Sequence, residues 1–440
     1  MRMGRILLIR PAYGWARAQT FNPTFTPWTA RKDATAIGAE DADGVRVALV
    51  AESFLAHMNG VTHSLLRIID HLSERGDKVL VLAPRAADTP RELSGFSVEG
   101  LPSFALPRYP NVRIATVTVG HIARSLRKFA PDIVHLASPF VLGLQAAHAA
   151  EQLGIPTVAI YQTDVPAYAA RYGFPLAEPT LWRQVQRIHQ RATLNLAPSS
   201  YASAQLADHQ IDRVRKWIRG VDSVRFSPAK RDAAWRTRIA PNGERIVGYV
   251  GRLAAEKQVE DLRVIATLPG VRLVIVGDGP LRGRLEQLLP SAHFTGFLGG
   301  DQLAQAMASF DVFVHPGELE TFCQTIQEAM ASGVPVVATG RGGPVDLVDS
   351  SRTGWLYTPG NLYELRERVA DLAGDPAKRD AFAEAARATV RDRSWSAVCE
   401  SLIGHYRDAI ALHQLRPASG WPLTNRSGFI RSSVTLSDTR

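Results

Sequence analysis

A chain of 440 residues is too long for one hydrophobic core and long enough for two ordinary α/β domains with extensions. Apolar residues at 45% and charged residues at 21% exclude a disordered or fibrous protein, and the two cysteines, Cys323 and Cys399, exclude a disulfide framework. The net charge of +9 falls mostly in residues 45–222, but no interleaved basic and aromatic stripe, helix-turn-helix or zinc spacing accompanies it, which argues against a nucleic-acid partner.

Residues 1–44 mix Trp, Pro, Thr and charge without sustained periodicity, end in EDADG, and read as a loose extension. Within them ILLI is followed at once by Arg10, too short for a signal peptide. No window of 18 uninterrupted apolar residues occurs anywhere, so a cytoplasmic protein without a membrane span is expected. From Val45 the texture changes. VRVALVAES is a strand run, SFLAHMNG a loop, VTHSLLRIIDHLSERG an amphipathic helix stopped by Gly76, and KVLVLAP the next strand. Parallel strands of this kind need the helix as their crossover. Further on, Arg124, Arg127 and Lys128 stand at helical spacing beside Ile122, Leu126 and Phe129, either a solvated face or one that rests on anionic lipid.

The same pattern restarts near Ile246: ERIVGYVG is a strand, RLAAEKQ a loop, the stretch after it a helix, and VRLVIVGDG the next strand. Between the halves, WIRGVDSVRFSP has the turn chemistry of a linker. SWSAVCESLIGHYRDAIALHQ is a long amphipathic helix, and the polar, proline-broken residues beyond it read as disordered. The expected organisation is an extension over 1–44, an α/β Rossmann-like domain over 45–222, and a second over 223–394. A helix over 395–413 is expected to cross back to the first domain, and a tail follows over 414–440. Two such domains leave a cleft at the carboxyl ends of their strands, where doubly wound sheets bind ligands.

Candidate site residues fall in the strand-to-helix loops. Gly60 lets backbone approach an anion at a helix N-terminus. Arg252 and Lys257 in GRLAAEK offer a planar fork and a point charge for phosphate oxygens, against the competing reading of two solvated surface cations. Asp278 in VGDGP and Gly296 and Phe297 in TGFL sit at the next two strand ends. In GELETFCQTIQEAM, Thr321 is placed to cap a helix, with the N–H groups of Phe322, Cys323 and Gln324 at its positive end. Glu320 stands at the cleft, Glu328 lies two turns further in among apolar residues, and Glu318 reads as a surface residue. A buried carboxylate needs partners, and sugar hydroxyls are suitable ones.

These pieces in order (MNGV, RGVDSVRFSP, GRLAAEK, VGDGP, the E-x7-E pair of ETFCQTIQE, and the GGP of RGGPVDLV) resemble the GT-B fold retaining glycosyltransferases of family GT4, over roughly Val45 to Leu412. More narrowly, VALVAESF, VHLASPFVLG, YQTDVPAYAARYG and GELETFCQTIQEAMASGVPVVA look like actinobacterial GDP-mannose-dependent α-mannosyltransferases of glycolipid and lipoglycan synthesis. The resemblance implies two Rossmann-like domains facing across a cleft. It assigns Arg252 and Lys257 to the donor diphosphate and Gly60 to its approach. Glu320 goes to the sugar hydroxyls, beside the N–H groups of Phe322 and Cys323, and Glu328 to the ribose. Cys323 stands where many members have glycine. His135-Leu136-Ala137-Ser138-Pro139 keeps only the first histidine of the segment that often faces the donor sugar, which leaves His135 as a buried structural residue and Asp164 as the next candidate, ahead of Tyr161 and Gln162.

The implied reaction is transfer of mannose with retention, the leaving diphosphate accepting the acceptor's proton on the same face. No general-base dyad, cofactor or metal is expected. The implied partners are a nucleotide-sugar donor, a lipid-linked glycan acceptor of the glucuronosyl diacylglycerol or phosphatidylinositol mannoside type, and an anionic membrane surface at the inner face of the plasma membrane. Rival readings are a transferase using UDP-glucose or UDP-sulfoquinovose, a sugar-nucleotide 2-epimerase, and a non-catalytic nucleotide-sugar-binding protein.

Overall fold

The computed structural model describes residues 44–52, 54, 60–87, 89–106, 109–137 and 139–415. The extension, most of the SFLAHMNG loop and the C-terminal tail lie outside these, save Gly44, Phe54, Gly60, Gln414 and Leu415. The described chain is built on two sheets. The first contains β1 (Arg46–Val50), β2 (Lys78–Pro84), β3 (Glu92–Leu93) and β4 (Phe96–Leu101). A separate antiparallel hairpin follows, β5 (Ser103–Leu106) with β6 (Tyr109–Ala115), and the first sheet resumes with β7 (Ile133–Leu136), β8 (Thr157–Ile160), β9 (Leu194–Ala197) and β10 (Val214–Lys216). Its order is β10-β9-β8-β7-β1-β2-β4-β3, parallel except for β3 against β4. The second sheet contains β11 (Arg245–Val250), β12 (Val271–Val276), β13 (His293–Gly296), β14 (Val312–His315), β15 (Val336–Thr339) and β16 (Gly354–Tyr357). It is wholly parallel, in the order β13-β12-β11-β14-β15-β16.

Both sheets are doubly wound. In the first, β1 pairs with β2 on one side and β7 on the other; in the second, β11 pairs with β12 and β14. At such points successive crossovers leave on opposite faces and open a crevice beyond the strand ends. Those ends lead to Glu52 and Ala137 in the first sheet and to Gly251 and Pro316 in the second. Strands such as VALV and VVAT are buried on both faces, which is why they read as continuous apolar runs rather than alternations.

The connector Trp217–Val221 joins the sheets. Trp217 packs in the first sheet's core and Val221 in the second's. Gly220 allows close passage beneath the C-terminal helix: a Cβ there would meet Trp395 Cα at 2.6 Å. That helix, Trp395–Gln414, buries Trp395, Val398, Cys399, Leu402, Ile403, Tyr406 and Ala409 in the core built on β1 and the helix Gly60–Arg75. Spacings of three and four make one apolar stripe, each fully buried large side chain contributing about 1.5–3 kcal/mol. Trp217 Nε1 donates to Val398 O at 3.0 Å, and Arg75 Nη1 meets Glu400 Oε1 at 2.8 Å.

Three local expectations are revised. The stretch after RLAAEKQ forms not an α-helix but a 3-10 helix, Val259–Val264, preceded within the loop by a 3-10 turn, Ala255–Lys257; Gln258 between them takes the left-handed conformation (φ 51°) and breaks an α-helical path. The basic helix, Val119–Phe129, turns Ile122 and Leu126 into the core, so only its exposed cations Arg124, Arg127 and Lys128 face outward and no apolar stripe accompanies them. Thr321 caps nothing: its hydroxyl donates to Gln162 O at 2.7 Å, and the helix begins after Cys323 instead.

Candidate active site

The GRLAAEK loop is fixed by its apolar half. Leu253 and Ala254 are fully buried, and Leu253 N donates to Asp278 O at 2.9 Å. The VGDGP turn lies directly against it, and its glycines are required by contact: a Cβ on Gly277 would sit 1.9 Å from Gly251 O, and one on Gly279 2.4 Å from Leu253 O. Arg252 is left exposed at the strand end, while Lys257 turns inward. The loop is also held from the first sheet's side. Tyr172 OH donates to the buried Glu256 at 2.5 Å, and Arg171 Nε to Ala255 O at 3.2 Å.

Glu320 is reached from β14 through a loop that the GGP segment pins. Gly343 N donates to Glu320 O at 2.7 Å; a Cβ on Gly342 would lie 2.7 Å from Glu320 O, and one on Gly343 2.5 Å from Phe322 Cα. Glu320 Oε1 forms an ion pair with Lys257 Nζ and lies 3.1 Å from His315 Nε2. Burial works against all three charges, but they stabilise one another. Lys257 and His315 hold the Glu320 carboxyl at about 2, Glu320 holds Lys257 well above the ordinary range, and Cys323 and Glu320 carry His315 up to about 9. Among the described residues, His315, Glu320 and Cys323 are the group whose ligand atoms approach closely enough for a metal, and Lys257 Nζ is bonded to Oε1 of that glutamate.

Cys323 is the residue at which the chain turns into the helix Gln324–Ala331, with φ 75° and ψ 76° and no side-chain cap. A left-handed turn here explains why glycine suits this position, and cysteine holds it at a backbone cost. Phe322 and Cys323 are both buried in the second core. Two turns into the helix, Glu328 is 7% exposed and has no ion-pair partner among the described residues. Burial pushes its carboxyl up to about 8, against the opposing influence of Gln324 and Arg225. The environment thus drives the two glutamates of the pair apart, Glu320 toward its ionised form and Glu328 toward its neutral one. Glu318, expected at the surface, is partly buried: its N–H donates to Gln258 Oε1 at 3.0 Å, tying two loops together.

Other candidates lie differently. Asp164 is 2% exposed and both its oxygens are engaged, Oδ1 by Ala167 N at 3.0 Å as the cap of the helix Val165–Arg171 and Oδ2 by Gln205 Nε2 at 2.6 Å. That geometry is a helix cap. His135 is fully buried within β7, where Nδ1 meets Tyr406 OH at 2.6 Å and burial lowers its pKa to about 3. It faces the C-terminal helix. Asp278 is exposed beside Arg282, Gly296 takes φ 76° at the end of β13, and Phe297 is 67% exposed. Gly60 opens the helix Gly60–Arg75.

Three residues escaped the sequence reading. His315 had a signal, as a histidine at the carboxyl end of a switch-point strand. Tyr168, whose phenol burial pushes up to about 12, feels Lys257, Glu320 and Asp164 from the first sheet's side, and only tertiary packing brings it there. Arg219, in the connector, is 6% exposed and donates to Gln162 Oε1 at 3.1 Å. Gln162, a minor candidate, proves to be a hub, since its own amide donates to Ala137 O at 2.6 Å and its carbonyl receives Thr321.

Comparison with known proteins fits this arrangement. Residues 58–225 match the Glycosyltransferase Family 4 model, and residues 232–389 the Glycosyl transferases group 1 model. A GDP-mannose-dependent alpha-mannosyltransferase of Mycobacterium tuberculosis is 47% identical over 371 residues, covering 82% of this chain and 96% of that one. Its namesake in Mycolicibacterium smegmatis is 49% identical over 382 residues, covering 85% and 100%. The structure of Anabaena HepE in complex with UDP superposes with a TM-score of 0.69 at 21% identity, over 83% of this chain and 100% of that one, which speaks to the GT-B fold alone. The chain belongs to the family 4 glycosyltransferases, as an enzyme of the same kind as these two mannosyltransferases.

Proposed function

We propose that the protein transfers mannose, with retention, from GDP-mannose to a lipid-linked acceptor of the glucuronosyl diacylglycerol or phosphatidylinositol mannoside type in cell-envelope glycolipid synthesis. The observation that carries this reading is near half identity, along almost the whole length, with relatives of that donor specificity. The site's charges are consistent with it. Ionised Glu320 is an acceptor for sugar hydroxyls; Arg252 and Lys257 face the diphosphate, and Glu328 the ribose. Asp164 acts as a positioning residue, because capping the Val165–Arg171 helix fixes Tyr168 near Lys257 and Glu320.

In the reaction, the bond from the anomeric carbon to the phosphate oxygen breaks and the acceptor oxygen bonds to that carbon on the same face. The acceptor's proton passes to the departing phosphate. The protein's part is alignment and stabilisation of the developing diphosphate charge, for which side-chain cations suffice without a metal. Among the described residues no helix is long and apolar enough to cross a membrane. We place the enzyme peripherally on anionic lipid at the cytoplasmic face, through the exposed Arg124, Arg127 and Lys128.

Incubation of the purified protein with labelled GDP-mannose and total lipid extract tests the function. A labelled lipid and released GDP are expected, and retention of activity only with UDP-glucose or another UDP-sugar overturns the donor. Flotation with anionic liposomes tests the membrane contact. Binding at low salt that is lost at high salt is expected; a protein that never floats refutes it.

A further inference from the structure

Arg219 lies at the junction of the two halves, and its backbone is fixed from both. Trp217 is bonded to the C-terminal helix, and Val221 N donates to Arg393 O at 2.8 Å. Gln327 Nε2 donates to Arg219 O, and Gln324 Nε2 to Gly220 O, each at 2.9 Å. The guanidinium is aimed at the start of the helix Gly60–Arg75: a Cβ on Gly60 would stand 2.6 Å from Nη1. Nη2 is bonded to Gln162, Nε has no acceptor, and no carboxylate within ion-pair reach balances the charge among the described residues. Phe322 covers the other side, with Cζ 6.0 Å from its ring centre.

A buried guanidinium with no carboxylate in ion-pair contact is costly, since the more distant charge of Glu320 only partly offsets its desolvation, and the neighbouring 16-residue helix, with no acidic residue in its first turn, adds further positive potential. Lys257, by contrast, already has Glu320. We infer that Arg219 is a further cation of the diphosphate subsite, added to Arg252 and Lys257, and that it meets the leaving phosphate where the Gly60–Arg75 helix begins. This rests on the nucleoside-diphosphate-sugar reading above. It explains the glycine at position 60, since a methyl group there would displace Nη1. Because the connector is tied to both sheets, the same residue registers their relative position to the leaving group.

Isothermal titration of the full chain with pyrophosphate, guanosine, GMP and GDP tests the inference on Arg219→Gln, Arg219→Lys and Gly60→Ala. Arg219→Gln is expected to lose about 10- to 100-fold in GDP affinity and to abolish pyrophosphate binding, with guanosine unchanged, Arg219→Lys falling between. Turnover of GDP-mannose should fall mainly in kcat. Gly60→Ala keeps the charge and should also weaken GDP at least tenfold, so a poorly folded Arg219 variant leaves the question decidable. Unchanged GDP and pyrophosphate affinity, or an equal loss for guanosine and GDP, overturns the role of Arg219. Wild-type protein that binds pyrophosphate through Arg219 but transfers no mannose would refute the functional reading and leave the subsite standing.

Discussion

Replacing Glu328 by glutamine separates a titratable buried carboxyl from the ribose hydrogen-bonding role proposed for it. Burial raises its pKa from 4.5 to about 8, with Gln324 and Arg225 opposing the shift and Asp222 adding to it. In the unfolded chain the carboxyl ionises near 4.5, so between pH 4.5 and 8 the unfolded state gains progressively and the folded state does not. The cost to stability is absent below about pH 4.5 and complete above about pH 8, where it reaches on the order of 5 kcal/mol at most. Glu328→Gln removes it. Urea unfolding at pH 5, 6, 7 and 8 should show the variant gaining on the wild type as pH rises. Donor binding runs the same linkage in the other direction. If the ribose takes the carboxylate form, GDP-mannose, whose diphosphate does not titrate here, should bind about tenfold more weakly per pH unit below 8, with uptake of the ligand releasing a proton. The variant should bind weakly with no pH dependence. A stability difference that stays constant with pH, together with a flat wild-type affinity, would refute the reasoning.

Lys257→Ala should lower kcat by about 100- to 1,000-fold. It should also move the acid limb of the pH–rate profile upward, because Glu320 loses the cation that depresses its pKa and then protonates at higher pH. An unchanged acid limb would mean that the ion pair does not set the glutamate's charge. Gly343→Ala drives a Cβ into the Phe322 backbone; at least a tenfold loss of kcat with circular dichroism preserved is expected, and normal turnover would show the loop to be free of the GGP segment. Tyr406→Phe leaves His135 Nδ1 unpaired and should cost about 1–2 kcal/mol in urea unfolding without altering kcat or KM. A selective fall in kcat would return His135 to the catalytic site.

The two sheets were legible because fully buried parallel strands leave uninterrupted runs such as VALV, VLVLA and VVAT, and because glycine marks the turns between them. The carboxylate pair was legible by spacing. Thr321 misled because Ser and Thr before a helix usually cap it, whereas here tertiary contact with Gln162 takes the hydroxyl and Cys323 makes the turn. The 3-10 turns on either side of Gln258 escaped for a similar reason: no local pattern announces a left-handed glutamine. Asp164 was singled out because an aspartate after a strand end suits either chemistry or a cap, and its bonds to Ala167 and Gln205 show that it serves at least as a cap. Arg219 was hidden in a segment read as linker. Its partners Gly60, Gln162 and Phe322 are 159, 57 and 103 residues away in sequence, so no spacing rule connects them.

The division of charge within the E-x7-E pair follows from what surrounds each carboxyl, not from its position on the helix. Glu320 precedes the helix, where Lys257 and His315 converge from the ends of neighbouring strands, and it is ionised before any donor arrives. Glu328 lies in a helix whose Ile326, Ala329 and Met330 are buried in the second core, with Gln324 as its hydrogen-bonding support, and burial holds it toward the protonated form until hydroxyl donors solvate the carboxylate. With the donor placed as proposed, the sugar end of the cleft is electrostatically set in advance, while the nucleoside end is set by binding. Such an arrangement makes donor capture, rather than the transfer step, the pH-sensitive event. Varying pH from 6 to 9 should therefore change kcat/KM for GDP-mannose steeply below 8 while kcat at saturating donor stays nearly level, and a kcat that follows the same limb would place the controlling group at Glu320's end of the site instead.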